Sequence, residues 1–401
     1  MPENKAEFAH AVRTLAICFL IAMLEGHNLQ SVGIAASRIG AALHISRAEL
    51  GIIFAIGSFG LLPGAVLGGR LADRFGRKRV LLFATLTFGV FSLLTARAET
   101  VSMLTLARFL AGAGLGAALP NLIALATEAV QPMRRSIAVA IMYAGVPLGG
   151  VMAALTSNAV AGPDGWRDIF LVGGTVSLAL LVPLAIFMPE SRAFLLNRGE
   201  HRAGRVPVSQ VLFGEGRGSI TVALWVSYFF TLAVVYLLLN WLPSLLEAGG
   251  LSREQTGLVQ IMFNVGASIG SLGFGWFLDR GARRASVMVM YVGIIFALFA
   301  LSMASGFVGL CFAGFAGGLF AVGGQLVLYA LAPVFYGSSV RGTGVGAAVA
   351  AGRLGAVAGP LVAGYILGAG MSSNIVLLAT IPGIVVAAIA ATTLVVGWRT
   401  A

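Results

Sequence analysis

The chain has 401 residues, of which 58% are apolar and only 10% charged, and its formal net charge is +11. A mean hydropathy of +0.95 excludes an ordinary soluble protein and predicts an integral membrane protein. In a soluble protein the positive charge would indicate nucleic acid. Here the basic residues stand in short loops between apolar runs, so membrane topology explains them and we expect no nucleic-acid partner.

The apolar runs are about 20 residues long, the length of a helix that crosses a bilayer. Because lipid permits only helix bundles or closed barrels as spanning structures, the sequence predicts an all-α membrane protein. Polar breaks divide it into twelve helices at 14–36, 48–69, 79–96, 101–126, 137–160, 167–187, 219–246, 255–278, 285–304, 307–332, 342–367 and 373–396.

The distribution of Lys and Arg predicts the orientation. The side of the membrane that holds both termini carries 19 of them, and the opposite side carries five. Positive residues are enriched in cytoplasmic loops. We therefore expect a multi-pass protein of the bacterial cytoplasmic membrane with both termini in the cytoplasm. We also expect a monomer.

The stretch from Gly68 to Arg79 carries five basic residues and the acid Asp73 between two apolar runs. We expect a short turn over 70–79 whose arginines bind anionic lipid, while Gly68 and Gly69 let two helices approach closely. Asp73 is expected to accept hydrogen bonds from a neighbouring helix end. An ordinary basic turn of a multi-pass protein is the alternative.

This pattern resembles the loop between the second and third helices of major facilitator superfamily transporters. A weaker copy occurs at 275–284, where Asp279 follows Asp73 by 206 residues. The resemblance implies that Asp73, Arg77 and Asp279 act in conformational change rather than in binding the substrate.

The break at 188–218 separates two similar sets of six helices. We predict a first half at 1–187, a mobile cytoplasmic linker at 188–218 and a second half at 219–401. Arg341 also follows Arg135 by 206 residues. Two duplicated halves suit alternating access, in which one half rocks against the other around a central site. A gene duplication without transport is the alternative.

Glu25 is the one acid in the interior of a predicted span, away from its ends. It lies about twelve residues from both Arg13 and Arg38, which places it near the bilayer midplane at ~1.5 Å per residue. An ionised group there is costly unless it faces water or a partner. We predict that Glu25 carries the proton; a permanent pair of Glu25 with an arginine is the alternative.

Two arginines also fall inside predicted spans. Arg353 lies near the midplane, whereas Arg108 is shallower, about one third of the way from the outer face. Each needs an anion, and two arginines against Glu25 leave a positive surplus that favours an anionic substrate. The stretch from Arg108 to Gly116 resembles the fourth-helix motif of proton-coupled facilitators, which implies that Arg108 acts in coupling with the first helix. Arg353 is then our candidate for binding a substrate carboxylate.

Several longer stretches look like the aromatic acid/proton symporter family. They are Glu25–Gln30, Gly116–Asn121, Gly165–Arg167 with Phe170, Pro189–Ser191, Asn240–Pro243, and Arg341–Gly346 through Gly359–Pro360. The resemblance covers nearly the whole chain. It implies the major facilitator fold and proton-coupled import of a small aromatic carboxylate of the hydroxyphenylpropionate or benzoate type, with no cofactor and no metal.

The first helix departs from this family, which usually carries two acids there as D/E-G-x-D. Glu25 stands at the first position and Asn28 at the second. Asn28 makes hydrogen bonds but carries no proton, so coupling rests on Glu25. We interpret the neighbouring His27 as a packing residue, with a proton relay as the alternative.

An aromatic acid needs a flat apolar surface and a few hydrogen-bonding groups. The candidates are polar or aromatic residues of the spans, several of them four residues apart and so on one helix face. They are Asn28, Tyr143, Tyr236, Asn240, Trp241, Gln260, Asn264, Gln325 and Tyr329. Hydrogen bonds between helices or anchoring at the membrane interface would explain the same residues.

Two other classes of protein compete with this interpretation. A membrane enzyme would need a catalytic group, but the four histidines are scattered and the spans hold no paired carboxylates. An exporter is the closer alternative, because the stretch from Gly145 to Gly150 resembles the fifth-helix motif of antiporters.

Overall fold

The structure is a computed structural model and describes residues 2–160, 162–191, 194–195, 207–336 and 341–397. Within these ranges, twelve helices are long and apolar enough to cross a membrane. The prediction of an all-α membrane protein with twelve spans is therefore confirmed.

We number the spanning helices α1 to α12. The first six are α1 (Pro2–Ile34), α2 (Arg47–Phe75), α3 (Arg77–Ala96), α4 (Val101–Glu128), α5 (Arg135–Ala159) and α6 (Trp166–Phe187). The last six are α7 (Gly218–Ala248), α8 (Arg253–Asp279), α9 (Arg283–Met303), α10 (Phe307–Gly317, then Gly318–Val322 and Gln325–Leu331), α11 (Arg341–Gly368) and α12 (Ser373–Leu378 and Ile381–Gly397). The terminal face is the membrane face where α1 begins and α12 ends, and the far face is the opposite one.

The packing of the first six helices recurs in the last six. In the first set α1 packs on α5, α2 on α4, and α3 on α6; in the second set α7 packs on α11, α8 on α10, and α9 on α12. Contacts of α2 with α11, α5 with α8, and α1 with α7 join the two sets. This is the arrangement that we expect of a duplicated six-helix unit.

Close helix contacts depend on glycine in α1 and α5. A Cβ atom at Gly26 of α1 would overlap the backbone of Val146, and one at Gly149 of α5 would overlap the backbone of Met23. The stretch from Gly145 to Gly150, which resembles an antiporter motif, therefore has a direct role in packing α5 against α1.

The basic stretch at the end of α2 is helical, so the predicted turn over 70–79 is wrong. The helix continues through Asp73 to Phe75, and only Gly76 interrupts it before α3 begins at Arg77. Charged side chains in water do not end a helix, whereas the φ of +97° at Gly76 does and favours glycine. Gly68 packs on Ala117 as expected. A Cβ atom placed at Gly69 would meet no neighbouring helix within 4 Å, so Gly69 is not part of a close helix contact.

Two spans of the second half are interrupted. The break in α12 precedes Pro382, which lacks the amide hydrogen of a helix interior. A π-helical turn at Gly318–Val322 interrupts α10.

The predicted linker contains a helix. Val208–Phe213 is helical with Val211 and Leu212 buried, where we predicted a mobile linker. Residues 192–193 and 196–206 of that linker lie outside the described residues.

Candidate functional site

Among the described residues of the spans, three Asp, Glu, Lys or Arg side chains are buried. Glu25 on α1 and Arg353 on α11 are each 5% exposed, and Arg108 on α4 is 3% exposed. No salt bridge joins Glu25 to either arginine in the described part of the chain. The structure therefore does not show the permanent Glu25–arginine pair that was the alternative to a proton carrier.

Arg353 lies in a polar and aromatic environment. Its Nη1 donates a hydrogen bond to the hydroxyl of Tyr236 on α7, and its guanidinium carbon lies 5.9 Å from the centre of the Tyr236 ring. Its Nε has no hydrogen-bond partner among the described residues. Glu25, Tyr143 and Tyr329 are close enough to interact electrostatically with this guanidinium. The site therefore combines one cation, one acid and three phenols.

A chain of hydrogen bonds connects the two halves beside Arg353. The hydroxyl of Tyr143 on α5 donates to Oε1 of Gln325 over 3.0 Å, and Nε2 of Gln325 donates to the hydroxyl of Tyr329 over 2.8 Å. The Tyr143 and Tyr329 rings meet edge to face with centres 6.4 Å apart. These predicted residues thus form an aromatic wall with an amide at its centre.

Two other candidates, Gln260 and Asn264 on α8, bind Gln30 on α1 instead. Asn264 and Gln30 exchange side-chain hydrogen bonds of 2.9 and 3.0 Å, and Gln260 donates to Gln30 over 3.0 Å. All three are at most 1% exposed. In this structure they hold α1 against α8. Hydrogen bonding between helices was the alternative to substrate binding for Gln260 and Asn264. Sequence reasoning assigned no role to Gln30, although it belongs to the Glu25–Gln30 stretch.

Asn28 and His27 face α6 rather than α11. The Asn28 amide donates to the carbonyl of Leu24 over 2.9 Å and to the hydroxyl of Ser177 over 3.4 Å. His27 lies 3.3 Å from the hydroxyl of Ser31 and against Gly173 of α6. This placement fits a packing role for His27, and it does not bring the Asn28 amide to the Arg353 site.

Arg108 contacts the first helix, with which the resemblance implies a coupling role. Its Nη2 donates to the backbone carbonyl of Asn28 over 3.1 Å, and its guanidinium carbon lies 5.6 Å from the centre of the Phe170 ring. Asn240, another candidate, donates to the carbonyl of Tyr236 on its own helix and lines a small cavity beside Arg108. Arg108 and Asn240 thus belong to a second polar site.

Two arginines bind the end of α5 at the far face, and one of them comes from the other half. Arg253 at the start of α8 donates to the carbonyls of Ser157 and Val160 at the end of α5. Arg38 donates to the hydroxyl of Ser157 over 2.6 Å. Burial, together with the positive charge of Arg253, lowers the pKa of Arg38 to about 10. Arg38 therefore stays charged at neutral pH.

Further contacts between the halves close this face. Ser37 donates to the carboxylate of Glu247 at the end of α7, and Phe54 meets Trp241 edge to face with ring centres 5.1 Å apart. Gly51 of α2 lies directly against Gly364 of α11. The far face is therefore closed by polar and apolar contacts.

A different set of charges joins helices of the first half at the terminal face. Arg77 forms an ion pair with Glu128 of α4, and Glu190 accepts from the backbone amides of Arg77 and Lys78 at the start of α3. Ser191 donates to the other oxygen of Glu128 over 2.7 Å. A carboxylate at a helix N-terminus is favourable because it meets unpaired amide groups.

Asp73 and Asp279 make no such contact. Both are exposed, and no hydrogen bond or ion pair links either one to the described part of the chain. The neighbouring helix end that we expected Asp73 to contact is bound by Glu190 instead. Sequence reasoning missed Glu128 and Glu190 as network residues, although Glu190 lies in the quoted Pro189–Ser191 stretch.

No group of three His, Cys, Asp or Glu side chains that could hold a metal ion occurs in the described ranges.

Comparisons with known proteins agree with this architecture. The family model of the Major Facilitator Superfamily matches residues 15–252 and 224–399. The chain is 47% identical to the 3-(3-hydroxy-phenyl)propionate transporter of Escherichia coli K12, covering 94% of this chain and 92% of that relative. It is 34% identical to the gallate transporter of Pseudomonas putida and 33% identical to the 4-hydroxybenzoate transporter PcaK of the same organism. Each of these two alignments covers 92% of this chain and 88% of the relative.

Solved structures show the same fold at low sequence identity. The partially occluded inward-open xylose transporter XylE of E. coli matches with a TM-score of 0.77 at 16% identity, covering 95% of this chain and 97% of that one. A bacterial homologue of the human lysosomal transporter Spinster, in an inward-facing conformation, matches with a TM-score of 0.70 at 17% identity, covering 98% of this chain and 99% of that one.

Proposed function

We propose that this chain, which belongs to the Major Facilitator Superfamily, imports a small aromatic carboxylate together with protons. Membership makes it a membrane transporter rather than an enzyme. The relatives named above transport hydroxyphenylpropionate, gallate and hydroxybenzoate, and these compounds share an aromatic ring, a carboxylate and at least one ring hydroxyl. The proposal transfers this substrate class to the present chain.

The observation that carries the proposal is the grouping of Arg353 and Glu25 with three tyrosines in one buried site. The guanidinium offers the fixed fork of donors that suits a carboxylate. The wall formed by Tyr143 and Tyr329 offers ring faces and edges for an aromatic substrate. Gln325 supplies an amide at the centre of that wall, where a ring hydroxyl would find both a donor and an acceptor.

Glu25 is the proposed proton carrier. It is buried, it lacks a salt bridge, and its Oε2 has no hydrogen-bond partner in the described residues. A carboxylate at this depth without a partner is costly, whereas the protonated acid is not. Glu25 would therefore lose its proton only when a compensating charge or water reaches it. This dependence is what couples proton release to transport. Arg108 is proposed to assist through its contact with the first helix.

The contacts at the far face support a transport cycle of alternating access. We propose that the far face is periplasmic and the terminal face cytoplasmic, as the distribution of Lys and Arg predicts. The structure then corresponds to a state closed towards the periplasm. The two halves, with their proposed division at 188–218, would rock about the central site. This motion would break the Arg253 contacts and open the site towards the periplasm.

The experiment is uptake of radiolabelled 3-hydroxyphenylpropionate, benzoate and protocatechuate into membrane vesicles of known orientation, with and without an imposed pH gradient. Right-side-out vesicles that are acidic outside should accumulate at least one of these acids, and an uncoupler should abolish the accumulation. Vesicles from cells lacking the protein and the amide of each acid are the controls. Accumulation that does not respond to the gradient would exclude symport, and accumulation only in inverted vesicles with an acidic interior would indicate an exporter.

A further inference from the structure

The three polar side chains of the aromatic wall satisfy one another's hydrogen bonds. The hydroxyl of Tyr143 donates to Oε1 of Gln325, and Nε2 of Gln325 donates to the hydroxyl of Tyr329. Tyr143 and Gln325 are buried, and Tyr329 is partly buried. Every polar atom of these three side chains therefore has a protein partner in this structure.

This network joins the two halves of the protein. Tyr143 lies on α5, whereas Gln325 and Tyr329 lie on α10. While the halves meet at this level, the phenols and the amide bind one another. When the halves separate, water reaches the same groups and takes the place of the lost partner. In neither arrangement does a buried polar group of the wall depend on a substrate for its hydrogen bonds.

The mutual satisfaction of these groups limits how strongly the wall can select for a ring hydroxyl. A site rejects an analogue that lacks a hydroxyl when its own buried polar groups are then left unpaired. An aromatic acid without a hydroxyl leaves the network of Tyr143, Gln325 and Tyr329 intact. An acid with a hydroxyl can use the second lone pair of the Gln325 oxygen or the proton of the Tyr329 hydroxyl. This exchanges hydrogen bonds to water for hydrogen bonds to protein, so the net gain in affinity is small.

Arg353 differs from the wall in this respect. Its hydrogen bond goes to a neutral phenol, that of Tyr236, and no salt bridge reaches the guanidinium from the described residues. A carboxylate is a better acceptor than this phenol because its charge strengthens the hydrogen bonds. A ring hydroxyl brings no such improvement to the groups of the wall.

We propose that this site selects its substrates by the carboxylate and tolerates the absence of a ring hydroxyl. The inference rests on the function proposed above and specifies its substrate class as aryl carboxylates with or without a hydroxyl. Their dissociation constants differ by less than about tenfold, the size of one exchanged hydrogen bond. The network of Tyr143, Gln325 and Tyr329 is the reason that a hydroxyl is accepted but not required.

The test compares 3-hydroxyphenylpropionate with phenylpropionate, which differ only in the hydroxyl, by calorimetric titration of the purified protein. The wild type should prefer the hydroxylated acid by less than about tenfold. Tyr143→Phe removes the donor to Gln325 and leaves a buried acceptor, which a substrate hydroxyl can satisfy. The preference for the hydroxylated acid should therefore rise by about tenfold in this variant. Tyr329→Phe removes the acceptor of the Gln325 amide and should raise the preference in the same way.

Tyr291→Phe is the matched control. It also removes a buried tyrosine hydroxyl, but one whose partner is Thr231 rather than the wall, so the ratio of the two dissociation constants should stay at the wild-type value. A fall in affinity for both acids alike, in any variant, reports a structural effect and leaves this ratio unchanged.

Two outcomes would overturn the inference while the proposed function stands. One is a wild type that binds both acids but prefers the hydroxylated one by more than about tenfold, which would mean that the site requires the hydroxyl. The other is an unchanged ratio in both Tyr143→Phe and Tyr329→Phe, which would place the substrate ring away from the network. If neither variant folds, the wild-type ratio alone decides. A wild type that binds neither acid contradicts the proposed function itself.

Discussion

The guanidinium of Arg353 on α11 donates a hydrogen bond to the hydroxyl of Tyr236 on α7, and both side chains are at most 5% exposed. A phenol is a neutral acceptor, whereas a carboxylate forms stronger charge-assisted hydrogen bonds and often a forked pair. A substrate carboxylate that reaches Arg353 would replace the weaker acceptor with a stronger one. The Tyr236 hydroxyl would then be free to bind the substrate as well.

We expect Arg353→Lys to raise the dissociation constant of an aromatic acid at least tenfold, equivalent to roughly 1.4 kcal/mol. The reason is geometric, because the point charge of lysine does not match the two oxygens of a carboxylate. Binding of the acid and of its amide analogue to the purified proteins measures the effect, and the amide should be nearly indifferent to the change. Equal losses for acid and amide, with a lower melting temperature, would assign Arg353 a structural role instead.

Glu25→Gln should abolish accumulation driven by a pH gradient while exchange of internal for external substrate continues. Glutamine keeps the size and hydrogen bonding of the side chain but cannot carry a proton. Parallel measurements of net uptake and of exchange in proteoliposomes separate the two activities. Gradient-driven accumulation that survives in this variant would exclude Glu25 as the carrier and direct attention to His27.

Asp73→Asn should slow turnover with little loss of equilibrium affinity. It should leave the melting temperature unchanged, because Asp73 makes no hydrogen bond or ion pair with the described residues in this state. Glu128→Gln breaks the ion pair with Arg77 and should lower stability by up to about 1 kcal/mol, since the pair is partly exposed. Initial uptake rates, substrate binding and thermal unfolding of both variants test this contrast. A large loss of affinity at normal turnover in Asp73→Asn would contradict a conformational role.

Arg253→Gln should shift the protein towards a state that is open at the far face, because Arg253 joins α8 to the carbonyls at the end of α5. Arg167→Gln is a matched control, since Arg167 also donates to two carbonyls, those of Ala96 and Ala98, but within one half. Spin labels at the exposed positions Arg97 and Ser305, on opposite halves, report the separation by pulsed electron resonance. Longer distances should be populated in Arg253→Gln and not in the control. The same distances in both variants would show that this contact does not close the far face.

Gly149→Ala should destabilise the protein by about 1–3 kcal/mol, because the added methyl group would overlap backbone atoms of Met23 and His27 on α1, which cannot rotate aside as a flexible side chain can. Gly69→Ala is the control, since the same change on α2 meets open space and should be neutral or slightly stabilising. Thermal unfolding in detergent compares the two. A Gly149→Ala protein as stable as the wild type would mean that α1 and α5 pack less closely than described.

The sequence by itself determined the class, the number of spans and the family. Lipid forces each apolar run of sufficient length into a helix, so the pattern of runs and polar breaks predicts the twelve spans. It also revealed Glu25, Arg108 and Arg353, because a charged residue within an apolar run is conspicuous wherever the helix lies. The pattern did not predict that α2 extends to Phe75, because hydropathy indicates which residues lie in the lipid and not how far the helix continues beyond it.

Only the tertiary structure decided which of these residues meet. Helical periodicity places Gln260 and Asn264 on one face, but the rotation of α8 against α1 directs that face to Gln30, 230 residues or more away in the chain. The same holds for Asn28, which shares the first helix with Glu25 but is bound to α6. Rotations of helices are set by close contacts of small residues, as at Gly26 and Gly149 between α1 and α5, and no local pattern in the chain specifies the partner of each contact.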